Sequence, residues 1–209
     1  MKPFTVFLVR HGEAETQWGN DDDPGLSQNG IDQAQNLIKR FENDLLRKFT
    51  FISSPKKRAI MTATPLAKKY DKDLLINKNF VEIPSPNVSI DEKRAWLKNT
   101  MHLNIKSLDE NVRDWRLNII YAITNLNSDV IIFSHYMVMN VLKGFIDNSD
   151  KILNFHPGYT SVMILKIQNI TLKIKFGVQR QRHSELYLGG PLQLLYHQPH
   201  LPFSSSSVG

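Results

Sequence analysis

The sequence predicts an α/β fold, a three-layer sandwich whose mainly parallel central sheet is flanked by helices. Three observations carry this. Residues 4–9 and 129–134 are short, β-branched apolar runs with the length and composition of buried strands. The segments between them repeat apolar residues at helical spacing. Strands alternating with helices need crossover connections, which make parallel sheets with helices on both faces.

In chain order, Phe4-Thr5-Val6-Phe7-Leu8-Val9 is the first strand, and it runs directly into Arg10-His11. Gly12, Gly19, Asn20, Asp21-Asp22-Asp23 and Pro24-Gly25 then mark a long loop. Ile31, Ala34, Leu37, Ile38, Phe41 and Leu45 give a helix over 27–48 with Ser27 as its N-cap. Phe49-Thr50-Phe51-Ile52 is a second strand. Pro55 suits the first turn of a helix reaching Tyr70, where its missing N–H costs nothing. Pro65 predicts a kink or break within that helix. Residues 74–76 form a third strand and 79–87 a loop; 90–103 and 109–126 form two helices. After the strand at 129–134 come a helix over 137–146 and a hairpin of 161–167 with 171–176 across Gln168-Asn169. This division gives a principal domain over 1–179. Residues 180–209, with Gly189-Gly190-Pro191 and Ser204 to Ser207, show no periodicity and read as a peripheral or poorly ordered extension.

The totals narrow the function classes. The 209 residues suit one domain, and no apolar run approaches the roughly 20 residues of a membrane span. The first residues lack the features of a secretory signal, and there are no cysteines, so a disulfide framework and a cysteine nucleophile are excluded and the cytoplasm is the expected location. A net charge of +6 favours anionic partners. Nucleic acid is not the expected one, because the lysines and arginines are scattered without an aromatic-interleaved basic stripe. No glycine-rich loop with a following lysine points to ATP.

Chemistry concentrates at two strand ends. Arg10-His11-Gly12-Glu13 follows the first strand, and Ser134-His135 ends another. Ligands of open α/β sheets collect at the carboxyl ends of the strands, so two histidines with arginines there form a candidate anion site. Arg10-His11-Gly12-Glu13 resembles the signature of the histidine phosphatase superfamily, which includes the phosphoglycerate mutases. The likeness extends through Asp23-Pro24-Gly25-Leu26-Ser27-Gln28-Asn29-Gly30, Gln33-Ala34, Ser53-Ser54-Pro55-Lys56-Lys57-Arg58-Ala59-Ile60-Met61-Thr62-Ala63, Glu82 and Ser134-His135.

The resemblance implies a phosphoglycerate mutase-like sandwich and a metal-independent phosphomonoester hydrolase without cofactor. His11 would be the covalent phosphoryl carrier, and Arg10 and Arg58 would fork onto phosphate oxygens. His135 would donate a hydrogen bond to the phosphoryl group, and Glu82 would act as general acid and then base. Two guanidinium groups would keep His11 neutral, and its other ring nitrogen needs an acceptor, for which a carbonyl of the following loop would serve. Gly12 would let the backbone approach the phosphate, Glu13 would support local structure, and Ser27 would cap its helix. Asp21 to Asp23 are read as solvent-facing, and metal binding is not expected at His197 and His200, which Gln198-Pro199 separates. The expected substrate is a small phosphorylated metabolite or a phosphoprotein.

The chain also departs from the family. Gln17 stands where mutases usually carry asparagine, and Tyr136-Met137 follows the second histidine where many members have glycines. The chain is also short for a cofactor-dependent mutase. These differences favour a phosphatase. The alternatives are a mutase-type phosphotransferase, a non-catalytic binder of phosphate or phosphoprotein, and a nucleic-acid-binding protein. Trp18, Trp96 and Trp115 are expected in packing roles, and Glu82-Ile83-Pro84-Ser85-Pro86 as a stiff segment at the pocket mouth.

Overall fold

A computed structural model describes residues 2–16, 23–41, 44–85, 87–89, 91–167, 171–175, 185–189 and 193–197, the last three segments by their backbone. Its strands are β1 (Phe4–Arg10), β2 (Thr50–Ser53), β3 (Leu74–Ile76), β4 (Val130–Ser134), β5 (Val162–Ile167), β6 (Thr171–Lys175), β7 (Glu185–Gly189) and β8 (Gln193–His197). Its α-helices are α1 (Gln28–Arg40), α2 (Lys57–Tyr70), α3 (Lys93–Met101), α4 (Glu110–Thr124) and α5 (Tyr136–Ile146). The main sheet has the order β3-β2-β4-β1-β5-β8. The pairs β3–β2, β2–β4 and β4–β1 are parallel, and β5 is antiparallel to both β1 and β8. This is the fold class that the sequence predicts.

Side chains alternate across a strand, so β1 feeds two cores. Phe4, Val6 and Leu8 pack with Ile120, Val138 and Leu142 of α4 and α5 on one face. Phe7 and Val9 pack with Leu37 of α1 and Ala63, Leu66 and Tyr70 of α2 on the other. Both faces are apolar, which is why β1 and β4 read as continuous hydrophobic runs. Ser27 Oγ accepts the Gly30 N–H at 3.0 Å and caps α1, an arrangement worth about 1 kcal/mol.

Four sequence expectations change. The helix from Ser27 stops at Arg40, and residues 45–48 continue as one 3-10 turn after Asp44, which adopts φ 58°. A left-handed residue cannot continue an α-helix, whatever the apolar spacing. Pro55 precedes the Lys56 cap of α2 and does not occupy the first turn. Pro65 lies inside α2 without ending it. The carbonyl deprived of its partner belongs to Met61 on the exposed side, while Ala63, Leu66, Ala67 and Tyr70 hold the helix on the sheet. Finally, β5 and β6 do not form a hairpin. Both edges of β5 are taken by β1 and β8, and β6 pairs with β7 instead. The stretch after 180 thus supplies two strands, with β8 on the outer edge of the main sheet. No helix among the described residues is long and apolar enough to cross a membrane.

Candidate active site

The sheet register builds the site. In the parallel pairing of β1 and β4, Arg10 lies opposite Ser134, so His11 and His135 leave neighbouring strands at one level. The His11 N–H donates to Ser134 O at 2.9 Å, and the Ser54 N–H donates to Phe133 O at 2.9 Å. Residues from β1, β2 and β4 therefore meet at the carboxyl end of the sheet. The His11 and His135 ring centroids are 5.2 Å apart.

His11 is buried, and its Nδ1–H donates to Gly12 O at 2.6 Å. That bond leaves Nε2 with the lone pair, and Arg58 Nε–H donates to it at 3.3 Å. Burial, then the Arg58 and Arg10 charges, hold the imidazole well below its usual range, with the Gly12 carbonyl acting in the opposite direction. His135 is fully buried, and its Nε2 and Ser54 Oγ are 2.8 Å apart. Its Nδ1 has no hydrogen-bond partner among the described residues. Burial and then Arg58 push this ring well down too. Both rings are thus shifted toward their neutral form.

Arg10 donates from Nη1 to Pro157 O at 2.7 Å, and its guanidinium carbon sits 4.1 Å from the Tyr159 ring centre and 5.0 Å from that of Tyr136. Two aromatic faces fix a planar cation well. Tyr136 is itself held through its hydroxyl, 2.5 Å from His156 Nδ1. Glu82 Oε1 accepts the Ile83 N–H at 2.9 Å and the Met137 N–H at 3.2 Å. Burial pushes its carboxyl above the usual carboxylate range, outweighing those two N–H donors and the Arg58 and Arg10 charges. Its loop is anchored by Ser134 Oγ–H on Phe80 O at 2.9 Å and by Trp115 Nε1–H on Val81 O at 3.0 Å.

All five residues singled out from the sequence, Arg10, His11, Arg58, Glu82 and His135, therefore gather here. A sequence profile of the histidine phosphatase superfamily, branch 1, matches residues 6–177. The chain belongs to that superfamily. Among solved structures, the chain resembles a phosphoserine phosphatase from Entamoeba histolytica (19% identity, TM-score 0.59, covering 90% of this chain and 98% of that one). It also resembles YhfR of Bacillus stearothermophilus (19%, 0.61, 88% and 96%) and a mycobacterial glucosyl-3-phosphoglycerate phosphatase (14%, 0.57, 79% and 91%). Among curated proteins compared by sequence, none matches the chain.

The supporting residues tie the loop after His11 to the start of α1 and Asp23 to the start of α2. A Cβ on Gly12 would meet Gly30 O at 2.7 Å, so Gly12 is small in order to pass the start of α1. Glu13 does serve local structure: its carboxylate accepts from Ser27 Oγ at 2.7 Å and from Asn29 Nδ2 at 3.0 Å. Ser27 spends its hydroxyl on Glu13 and Gly30. Asp23 Oδ1 accepts the Lys57 N–H at 2.9 Å. Gln17, Trp18, Asp21, Asp22, Pro86 and His200 lie outside the described residues, as does the His197 side chain. Sequence reasoning passed over the aromatic flanks of Arg10 and the second histidine's partner Ser54. Tyr136 was marked only as a departure, and nothing in the pattern pairs Tyr159 with a residue so distant in sequence.

Gly30 yields a direct test. A Cβ there would stand 2.0 Å from Glu13 O, against backbone that the Ser27 N–H and Gln33 hold in place. Gly30→Ala is expected to lower stability by about 3 kcal/mol, read as a reduced urea midpoint with unchanged slope. An unchanged midpoint would mean that the loop moves aside freely.

Proposed function

We propose that this member of the histidine phosphatase superfamily is a metal-independent phosphomonoester hydrolase acting through a phosphohistidine on His11. Its substrate is a small phosphorylated metabolite or a phosphoprotein, and neither a cofactor nor nucleic acid takes part. One observation carries the reading. The buried His11 is locked as the Nδ1–H tautomer by Gly12 O, so Nε2 presents its lone pair beside Arg58.

In the first step the Nε2 lone pair attacks phosphorus and the bond to the leaving oxygen breaks. The Glu82 carboxyl gives its proton to that oxygen, and the alcohol departs. In the second step water attacks the phosphohistidine while the Glu82 carboxylate takes its proton. The N–P bond breaks, and inorganic phosphate leaves with His11 neutral again. The transition state spreads charge over three equatorial oxygens, which Arg10, Arg58 and His135 are placed to stabilise. The phosphatases among the structural neighbours agree with this class of reaction and leave the substrate open.

The test is to trap the intermediate. Enzyme in chelator is mixed with a radiolabelled phosphomonoester and quenched by denaturation during turnover. The expected label is alkali-stable, acid-labile and confined to the peptide containing His11. Turnover without any protein-bound label would exclude the covalent route. Dependence on a bisphosphorylated activator would assign the chain to the mutases.

A further inference from the structure

We infer that Gln33 and Thr62 are positioning residues that form a two-point clamp on the backbone flanking Gly12, and that this clamp acts with Arg58 to decide which nitrogen of His11 is nucleophilic. The inference rests on the role proposed for His11. Two bonds orient the His11 ring: Nδ1–H donates to Gly12 O at 2.6 Å, and Arg58 Nε–H donates to Nε2 at the longer 3.3 Å. That carbonyl belongs to the peptide unit joining Gly12 to Glu13, whose N–H donates to Gln33 Oε1 at 2.8 Å. The C=O and N–H of a trans peptide point in opposite directions within one plane. Pinning the N–H from α1 therefore aims the carbonyl at the ring.

Thr62 holds the preceding unit. Its hydroxyl accepts the Gly12 N–H at 2.9 Å and donates to Arg58 O at 2.6 Å. A hydroxyl has one proton, so the bond to Arg58 leaves Thr62 Oγ1 as an acceptor, which is what the Gly12 amide requires. Thr62 is fully buried one turn beyond Arg58, so the same helix carries the arginine that faces Nε2 and the hydroxyl that sets Nδ1. The two clamps come from different helices, α1 and α2. Without them the Gly12–Glu13 unit is held only from its flanks, by the Ser27 N–H on Glu13 O, and the ring keeps the Arg58 donor but loses a fixed acceptor for Nδ1–H. An orienting partner of this kind typically changes activity without touching the substrate.

The test compares Gln33→Met, Gln33→Glu, Thr62→Val and Thr62→Ser, using 15N NMR of the His11 ring at pH 7 alongside kcat and KM. Wild type is expected to show a protonated Nδ1 and an unprotonated Nε2. Gln33→Met and Thr62→Val are expected to give mixed tautomers and to lower kcat by about 10- to 100-fold with little change in KM. Gln33→Glu and Thr62→Ser, which keep the acceptor, are expected to restore the wild-type ring signals. Gln33 is only half-buried, so Gln33→Met keeps the test available if Thr62→Val does not fold. Folded Gln33→Met with wild-type ring signals overturns the clamp, whatever its activity. If wild type has no turnover, the phosphohistidine reading fails, and the ring spectrum still decides the clamp.

Discussion

His11→Ala is expected to abolish hydrolysis of an aryl phosphate, with kcat falling by about 10⁴-fold or more, while inorganic phosphate still binds. In the proposed mechanism His11 forms the covalent intermediate, and losses of this size or larger follow removal of such a nucleophile in other enzymes. Binding survives for a separate reason. Arg10 remains between its two tyrosines and on Pro157, Arg58 remains buried on α2, and His135 keeps its bond to Ser54. Steady-state assays with titration calorimetry of phosphate separate the two effects. Equal loss of turnover and phosphate affinity would show that His11 serves as an anion ligand. Turnover within tenfold of wild type would remove it from the mechanism.

Glu82→Gln is the second large effect, and its size depends on the leaving group. The amide keeps the shape but has no proton to give, so an alkyl phosphate, whose alkoxide leaves poorly, is expected to lose about 10²- to 10⁴-fold in kcat. An aryl phosphate with a stabilised phenolate is expected to lose far less in this step. The pH profile follows from the two shifted groups. His11 is depressed, so it stays neutral and nucleophilic as pH falls below the ordinary histidine range. Glu82 is raised by burial, so it remains protonated to a higher pH than an ordinary glutamate and loses its proton as pH rises further. A bound phosphate dianion pushes it in the same direction. Wild type is therefore expected to be most active at acidic pH, with a rate that falls on the alkaline side as Glu82 ionises. Glu82→Gln should lack that alkaline fall. A profile unchanged by the substitution would place the acid elsewhere.

The parts of the fold that sequence reveals are those fixed by local chemistry. Residues 4–9 and 130–134 are apolar on both faces because helices cover both, and Ser27 announces the start of α1 by its capping chemistry. What sequence hides depends on distant partners. The spacing of Phe41 and Leu45 continues a helix that the backbone ends at Arg40. Pro65 would break a solvent-surrounded helix, yet buried neighbours on one face retain it. Nothing near residue 167 announces that β5 will be flanked by β1 and β8. The site divides in the same way. Arg10, His11, Arg58 and His135 stand out because their chemistry is concentrated at strand ends and in motifs, whereas Gln33 and Thr62 matter only through backbone groups of a loop brought beside them. Thr62 could have been suspected from its position one helical turn after Arg58.

The place of β1 in the sheet also bears on how the chain is made. β1 is made before the other described strands, yet its partners are β4 and β5, and the bond from the Thr5 N–H to Asp129 Oδ1 spans 124 positions. At about 5–20 residues per second, a ribosome needs roughly 6–25 s to produce that intervening chain. Throughout that time Phe4, Val6, Phe7, Leu8 and Val9 have no sheet neighbours, and Phe4, Val6 and Leu8 also lack α5, which follows β4. An uncharged run rich in β-branched and aromatic residues is prone to pair with copies of itself while it waits. The strand that leads into His11 is thus a segment that chaperone protection would serve during synthesis, and the candidate site is complete only when His135, just after β4, has emerged.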